Sequence, residues 1–269
     1  MILSPFAQRT ISALVLGPLL LWSIFYLQGD EFFVLLMLLL VPAAWEWGRL
    51  SGQTLILPRI VYTTILIVLF YFGSFIPLGV LLSIALIWWV SALFWLRYFP
   101  ERTKWVFSRN MGHVAGIIVL IPAWHALGEI HQYGVEFLLS LLLLVWSADT
   151  GAYLVGRKFG NRKLAPNVSP KKSVEGLLGG VGFALITAII AYSYLVKIDM
   201  GLPLFLLIAV GVVIFSVVGD LVESAYKRNA GIKDSGSLIP GHGGMLDRVD
   251  SLTAAAPIFL FLLTVVGGL

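Results

Sequence analysis

Residues 202–219 read LPLFLLIAVGVVIFSVVG, and Asp220-Leu-Val-Glu-Ser-Ala-Tyr-Lys-Arg228 follows without a break. A helix that crosses the hydrocarbon of a bilayer needs about 20 mostly apolar residues. This run is therefore read as a span, Leu202–Gly219, that leaves the membrane as a charged extension. Working outward, eight more runs have the same character: Ile11–Leu27, Phe32–Trp47, Ile60–Phe75, Leu78–Leu96, Met111–Leu127, Val135–Val155, Leu177–Val196 and Leu252–Gly268. The break between the third and fourth rests on Gly73-Ser74 and Pro77, residues that punctuate helices. The expected fold class is an all-α polytopic membrane protein with about nine transmembrane helices.

Composition excludes the soluble alternative. Hydrophobic residues make up 59% of the 269 and charged residues 12%, against roughly 25% charged in soluble domains. Mean hydropathy is +0.96. The absence of cysteine excludes disulfides and thiolate-bound metal. The four histidines show no zinc-type spacing, and His113, His125 and His131 read as structural. A pI near 9.3 invites a nucleic-acid reading, but in a membrane protein basic excess marks cytoplasmic loops, and no nucleic acid is expected as a partner.

Nine spans with the N-terminus inside give a direct test. The inside segments then hold Arg9; Arg49 and Arg59; Arg97, Arg102, Lys104 and Arg109; Arg157, Lys158, Arg162, Lys163, Lys171 and Lys172; and Lys227, Arg228, Lys233 and Arg248. Of the 18 basic residues only Lys197 falls outside. The positive-inside rule thus places the N-terminus in the cytoplasm and the C-terminus outside. Met1–Arg9 resembles the start of a signal peptide, but no small-residue cleavage site follows, so it reads as an uncleaved first span. No linker separates a second domain. Residues 1–269 form one integral-membrane domain, with N-terminal helices in 1–130 and the polar motifs in 131–269.

The two longest polar stretches, about 156–176 and 220–251, both fall on the cytoplasmic face. If the helix continues past Gly219, Asp220, Glu223, Ser224 and Lys227 form one polar face, and the helix should stop near Gly231. Pro240-Gly-His-Gly-Gly244 follows, where glycines leave backbone N–H groups able to approach an anion. Asp247 and Asp250 open the last span on one face. Each part has a plainer reading, such as a helix cap, a turn or a solvated face. Together, Asp220, Asp247 and Asp250 near the bilayer boundary suit a Mg²⁺ site. Glu46 and Arg49, one turn apart, read as an interfacial ion pair.

The run Ser224-Ala-Tyr-Lys-Arg228, Lys233-Asp234, Pro240-Gly-His-Gly-Gly244, Leu246-Asp-Arg248 and Asp250 resembles the signature of the phosphatidate cytidylyltransferase family. The membrane architecture agrees over the whole length. The resemblance implies CTP and phosphatidic acid as substrates, with pyrophosphate as co-product. It also implies divalent-metal dependence and a bacterial inner-membrane location with the site facing the cytoplasm. Two further segments fit. In Trp146-Ser-Ala-Asp-Thr-Gly-Ala-Tyr153, Asp149 lies within a span, where an ionisable group costs roughly 2.5–3.5 kcal/mol; it reads as a ligand or metal residue facing the bundle interior. In Ser169-Pro-Lys-Lys-Ser-Val-Glu-Gly176, Lys171 and Lys172 read as phosphate-binding, whereas Arg157 to Lys163 read as a positive-inside loop.

The expected site therefore has one or two Mg²⁺ ions on Asp220, Asp247, Asp250 and Asp149. Lys227, Arg228, His242 and Arg248 gather around the glycine loop, and Lys171, Lys172, Ser224, Gly243 and Gly244 contact substrate phosphates. The reaction is attack by a phosphatidate oxygen on the α-phosphorus of CTP. Neutralising two anions is the main catalytic problem, and a homodimer is compatible with the sequence. A CTP-dependent polyprenol or lipid kinase is the nearest alternative, and a membrane transporter the next. A transporter would place its charges at mid-bilayer.

Overall fold

The computed structural model describes residues 5–196, 200–239, 241 and 243–267. Lys197, Pro240 and His242 lie outside the described residues. The chain is a helical bundle: α1 Pro5–Tyr26, α2 Asp30–Leu50, α3 Ile56–Gly73, α4 Leu78–Trp95, α5 Arg109–Tyr133, α6 Val135–Phe159, α7 Val174–Tyr194, α8 Leu202–Asn229 and α9 Leu246–Val265. Among the described residues, α2 to α9 supply eight helices long and apolar enough to cross a membrane, and α1 has a shorter apolar run, Thr10–Tyr26. In hydrocarbon every backbone N–H and C=O must find an internal partner, and the helix does this within one segment.

The helix breaks follow local chemistry. α3 ends at Gly73 and α4 begins after Pro77, where the sequence placed the break. Gly134 alone joins α5 to α6; its φ of 153° is one that residues with a Cβ rarely adopt. The histidines expected to be structural are so. His125 Nε2 and His131 Nε2 lie 2.9 Å from the carbonyls of Phe70 and Ile24, and His113 bonds Gln53 at 2.7 Å. Indoles tie α2 to α5 in both directions: Trp47 donates to Gly112 O at 2.8 Å and Trp124 to Leu36 O at 2.9 Å.

One feature was not foreseen. Between α6 and α7 the polar stretch forms an antiparallel hairpin, β1 Lys163–Ala165 and β2 Ser169–Ser173, with Lys163 opposite Ser173 and Ala165 opposite Ser169. Asn167 in its turn donates to Phe99 O at 3.1 Å. Tyr226 on α8 donates to Val106 O at 3.1 Å, and Ser51 after α2 packs on Gly112 at the start of α5. The basic connecting segments therefore meet at one end of the bundle.

Candidate active site

α8 does not stop at Gly219. It runs on to Asn229, carrying Asp220, Glu223, Ser224 and Lys227 on helical backbone as the spacing required. It ends with Gly231 at φ 68°, Gly231 N donating to Arg228 O and Ile232 N to Lys227 O. This is a Schellman closure, which satisfies the last carbonyls of a helix.

Asp220 faces a cavity of about 550 Å³ between α6, the hairpin, α7 and α8. Its polar wall is Asp149 and Arg157 on α6, Ser169, Lys171 and Lys172 on β2, and Asp220; Leu164, Leu177 and Val217 make an apolar side. Lys172 pairs with Asp220, and Ser224 Oγ donates to the other Asp220 oxygen at 3.2 Å. Asp149 lies within electrostatic reach of both Lys172 and Asp220.

The hairpin holds its lysines there through several ties. Glu175 in the first turn of α7 accepts from Asn161 N at 3.0 Å and from Arg162 N at 3.1 Å, with Arg162 Nε at 3.1 Å on its other oxygen. Ser173 Oγ caps α7 by accepting from Gly176 N at 3.1 Å. Small residues let α6 and α7 approach: a Cβ on Gly180 would sit 2.8 Å from Ala148 O, and one on Gly156 3.4 Å from Gly176 Cα.

A second polar cluster lies where α8 meets α9. Lys227 Nζ donates to Asp247 Oδ1 at 2.8 Å and lies 3.4 Å from Glu223 Oε1. Asp247 Oδ2 accepts from Ser235 N at 2.9 Å, Ser235 Oγ at 2.9 Å and Gly244 N at 2.8 Å. The glycine loop closes on itself, Ile239 N donating to Gly243 O at 2.9 Å and Gly243 N to Ile239 O at 3.1 Å. Asp250 Oδ1 accepts from Ser251 N at 2.7 Å, and Asp250 and buried Glu223 line one small void with Gly219 and Leu246.

Residues 7–266 match the cytidylyltransferase family. The chain is 42% identical over 264 residues to the phosphatidate cytidylyltransferase of Pseudomonas aeruginosa, covering 97% of each chain. It is 38% identical over 282 residues to that of Haemophilus influenzae, covering 94% of this chain and 97% of the relative. The phosphatidate cytidylyltransferase of Bacillus subtilis is 44% identical over 135 residues, half of each chain.

The chain belongs to the cytidylyltransferase family.

In this cytidylyltransferase the structure gathers Asp149, Lys171, Lys172 and Asp220 at the cavity, with Ser224 bonded to Asp220. Several other expectations change. Asp247 does not line the cavity, because Lys227, Ser235 and Gly244 take up both its oxygens. The amide of Gly243 bonds Ile239 O and that of Gly244 the Asp247 carboxylate, so both are taken up within the protein. Arg228 is exposed and its Nε donates to Val168 O at 3.3 Å, so it ties α8 to the hairpin. Arg248 is exposed at the start of α9. Glu46 makes no ion pair with Arg49 among the described residues; its carboxylate turns inward. Arg157, read from sequence as a loop charge, stands on the cavity wall.

No three Asp, Glu or His side chains among the described residues come together as a ready chelate. Mg²⁺ is usually held by one or two carboxylates plus substrate phosphates, keeping several waters. Asp149 and Asp220, hard oxygen donors on the cavity wall, fit that mode. Buried Glu223 does not reach the cavity; it lies against Lys227, 3.4 Å from its Nζ, and beside Asp250.

Proposed function

We propose that the chain transfers the cytidylyl group of CTP to phosphatidic acid, giving CDP-diacylglycerol and pyrophosphate. A phosphatidate oxygen bonds to the α-phosphorus, and the bond from that phosphorus to the bridging α–β oxygen breaks. A phosphate monoester has a second pKa of about 6 and is mostly ionised at neutral pH, so no strong general base is assigned.

The observation that carries this reading is the cavity, where carboxylates and cations face one another beside an apolar wall. Lys171, Lys172 and Arg157 offset the charge of two approaching phosphates. Leu164, Leu177 and Val217 provide a surface for the glyceride end of the lipid while its tails stay in the bilayer. Asp149 and Asp220 would hold Mg²⁺, which supplies further neutralisation of phosphate charge when bound. Lys172 balances Asp220 until ion and substrate arrive.

The same reading gives nine spans, an inner-membrane location, a cytoplasmic site and an external C-terminus. The meeting of the basic segments at one end of the bundle supports this orientation. A reporter after Leu269 should be labelled without permeabilising the inner membrane; labelling only after permeabilisation would overturn the nine-span reading.

CTP labelled at the α-phosphate should pass its label to lipid only when phosphatidate is present, with γ-label released as pyrophosphate. Finding γ-label in lipid and CDP in solution would establish a kinase instead.

A further inference from the structure

Glu46 stands on α2, in the half of the chain that carries none of the polar motifs, and is 4% exposed. Its Oε1 accepts from Met245 N at 3.0 Å, and its Oε2 from Leu246 N at 2.8 Å and Ser235 Oγ at 2.9 Å. Met245 and Leu246 begin α9, whose first N–H groups have no partner within the helix, and a negative charge there is favoured by the helix dipole. Glu46 thus caps α9 from another helix.

Two glycines close directly on this carboxylate. A Cβ on Gly244 would fall 2.6 Å from Glu46 Cδ, and one on Gly236 2.8 Å from the same atom. Ser235 Oγ also lies 2.9 Å from Asp247 Oδ2. The hydroxyl has one proton, so it serves one carboxylate at a time and couples them. Asp247 in turn holds Lys227.

We propose that Glu46 is a positioning residue of the active site: it fixes both ends of the segment from Ser235 to Leu246, and through Ser235 sets Asp247 and Lys227 beside Glu223. The effect on catalysis rests on the cytidylyl-transfer reading above; the clamp itself does not.

Glu46→Gln is the sharp test. It keeps the shape but turns one acceptor into an NH₂ that faces a donor. In the full-length enzyme in detergent, amide exchange of peptides covering 233–246 should rise ~10-fold or more over wild type, while the other helices keep their protection. With CTP and phosphatidate, kcat per folded enzyme should fall ~10-fold with KM for CTP changed less than ~3-fold, the pattern of a lost transition-state arrangement. Arg49→Ala, one turn away and exposed, should match wild type in both. Ser235→Ala should loosen the same peptides to a smaller degree. It also decides the matter if Glu46→Gln does not fold.

Unchanged loop exchange in the variant that folds would overturn the clamp. Faster exchange with full kcat would overturn the positioning role. If the wild-type enzyme makes no CDP-diacylglycerol, the reaction reading fails, and the exchange data alone decide the clamp.

Discussion

Asp220 and Lys227 lie two turns apart on α8, each paired with a residue of opposite charge, yet the two pairs are built for different ends. Lys172 and Asp220 are 25% and 27% exposed and border the cavity. Lys227 and Asp247 are 12% and 7% exposed, and Asp247 accepts from Lys227, Ser235 N and Gly244 N, with the Ser235 hydroxyl shared between it and Glu46. A pair that still touches open space can exchange its partner for a phosphate or an ion. A pair whose donors and acceptors are already consumed by the protein braces the fold around it. On the proposed reaction the same residue types divide into a binding half and a framing half, and burial and hydrogen bonding draw the line.

The largest effect that could break this division is at Asp220. Asp220→Asn should lower turnover by ~100-fold or more, as loss of a charge-stabilising group at a reacting centre does, with a near-normal unfolding midpoint. Near-wild-type turnover at saturating Mg²⁺ would remove Asp220 from the binding half. Asp247→Asn comes next and should fail differently. Its new NH₂ faces the donors of Ser235 or Gly244, or Lys227, and removing one partner of a buried pair costs about 3 kcal/mol. Its unfolding midpoint should drop together with turnover, and loss of turnover at unchanged stability would move Asp247 into the binding half.

A smaller contrast lies on the hairpin. Lys171→Ala or Lys172→Ala should lower kcat/KM for CTP or lipid by ~10-fold, as loss of a charge-assisted phosphate contact does, whereas Lys158→Ala should have little effect. Equal small losses at all three would mean that these lysines serve orientation in the membrane only. The smallest effect is expected at Ser224, whose hydroxyl gives Asp220 one hydrogen bond. Ser224→Ala should cost about 1 kcal/mol, or a few-fold in kcat, and an effect as large as that of Asp220→Asn would make the hydroxyl a substrate contact.

Helices were readable because hydrocarbon imposes a length and an apolar composition, and the breaks at Gly73 to Pro77 and Gly231 carry their own turn chemistry. Asp149 stood out as an ionisable residue inside an apolar run, Lys172 as part of a polar stretch before a span and Asp220 as the start of a charged extension; that the three line one cavity follows only from the tertiary fold. The hairpin was not. Ser169-Pro-Lys-Lys-Ser173 has no alternating pattern; its hairpin is pinned by Glu175 holding Asn161 and Arg162 at its base, by Arg228 on Val168 and by the bond from Asn167 in its own turn to Phe99. Nor could the sequence reveal that Asp247 is enclosed, since that depends on Ser235 folding back over it. Glu46 looked like a partner for Arg49 because the two are three residues apart. Only the tertiary contact shows that it faces two orphan amides 199 and 200 residues further along the chain. Ser173 as the cap of α7 was within reach of sequence reasoning, because a serine directly preceding an apolar run is a standard helix start.

That span of about 200 residues has a consequence for biogenesis. A ribosome delivers α2 to the membrane early and α9 last, and domains form from the N-terminus during synthesis. Until α9 arrives, the Glu46 carboxylate lacks the amides that later enclose it and must stay hydrated at the membrane margin. The frame around Asp247 and Lys227 therefore closes only with the final helix. A chain released early keeps its cavity lysines but has no α9 to complete the clamp, so truncated products left in the membrane should be inert toward nucleotide.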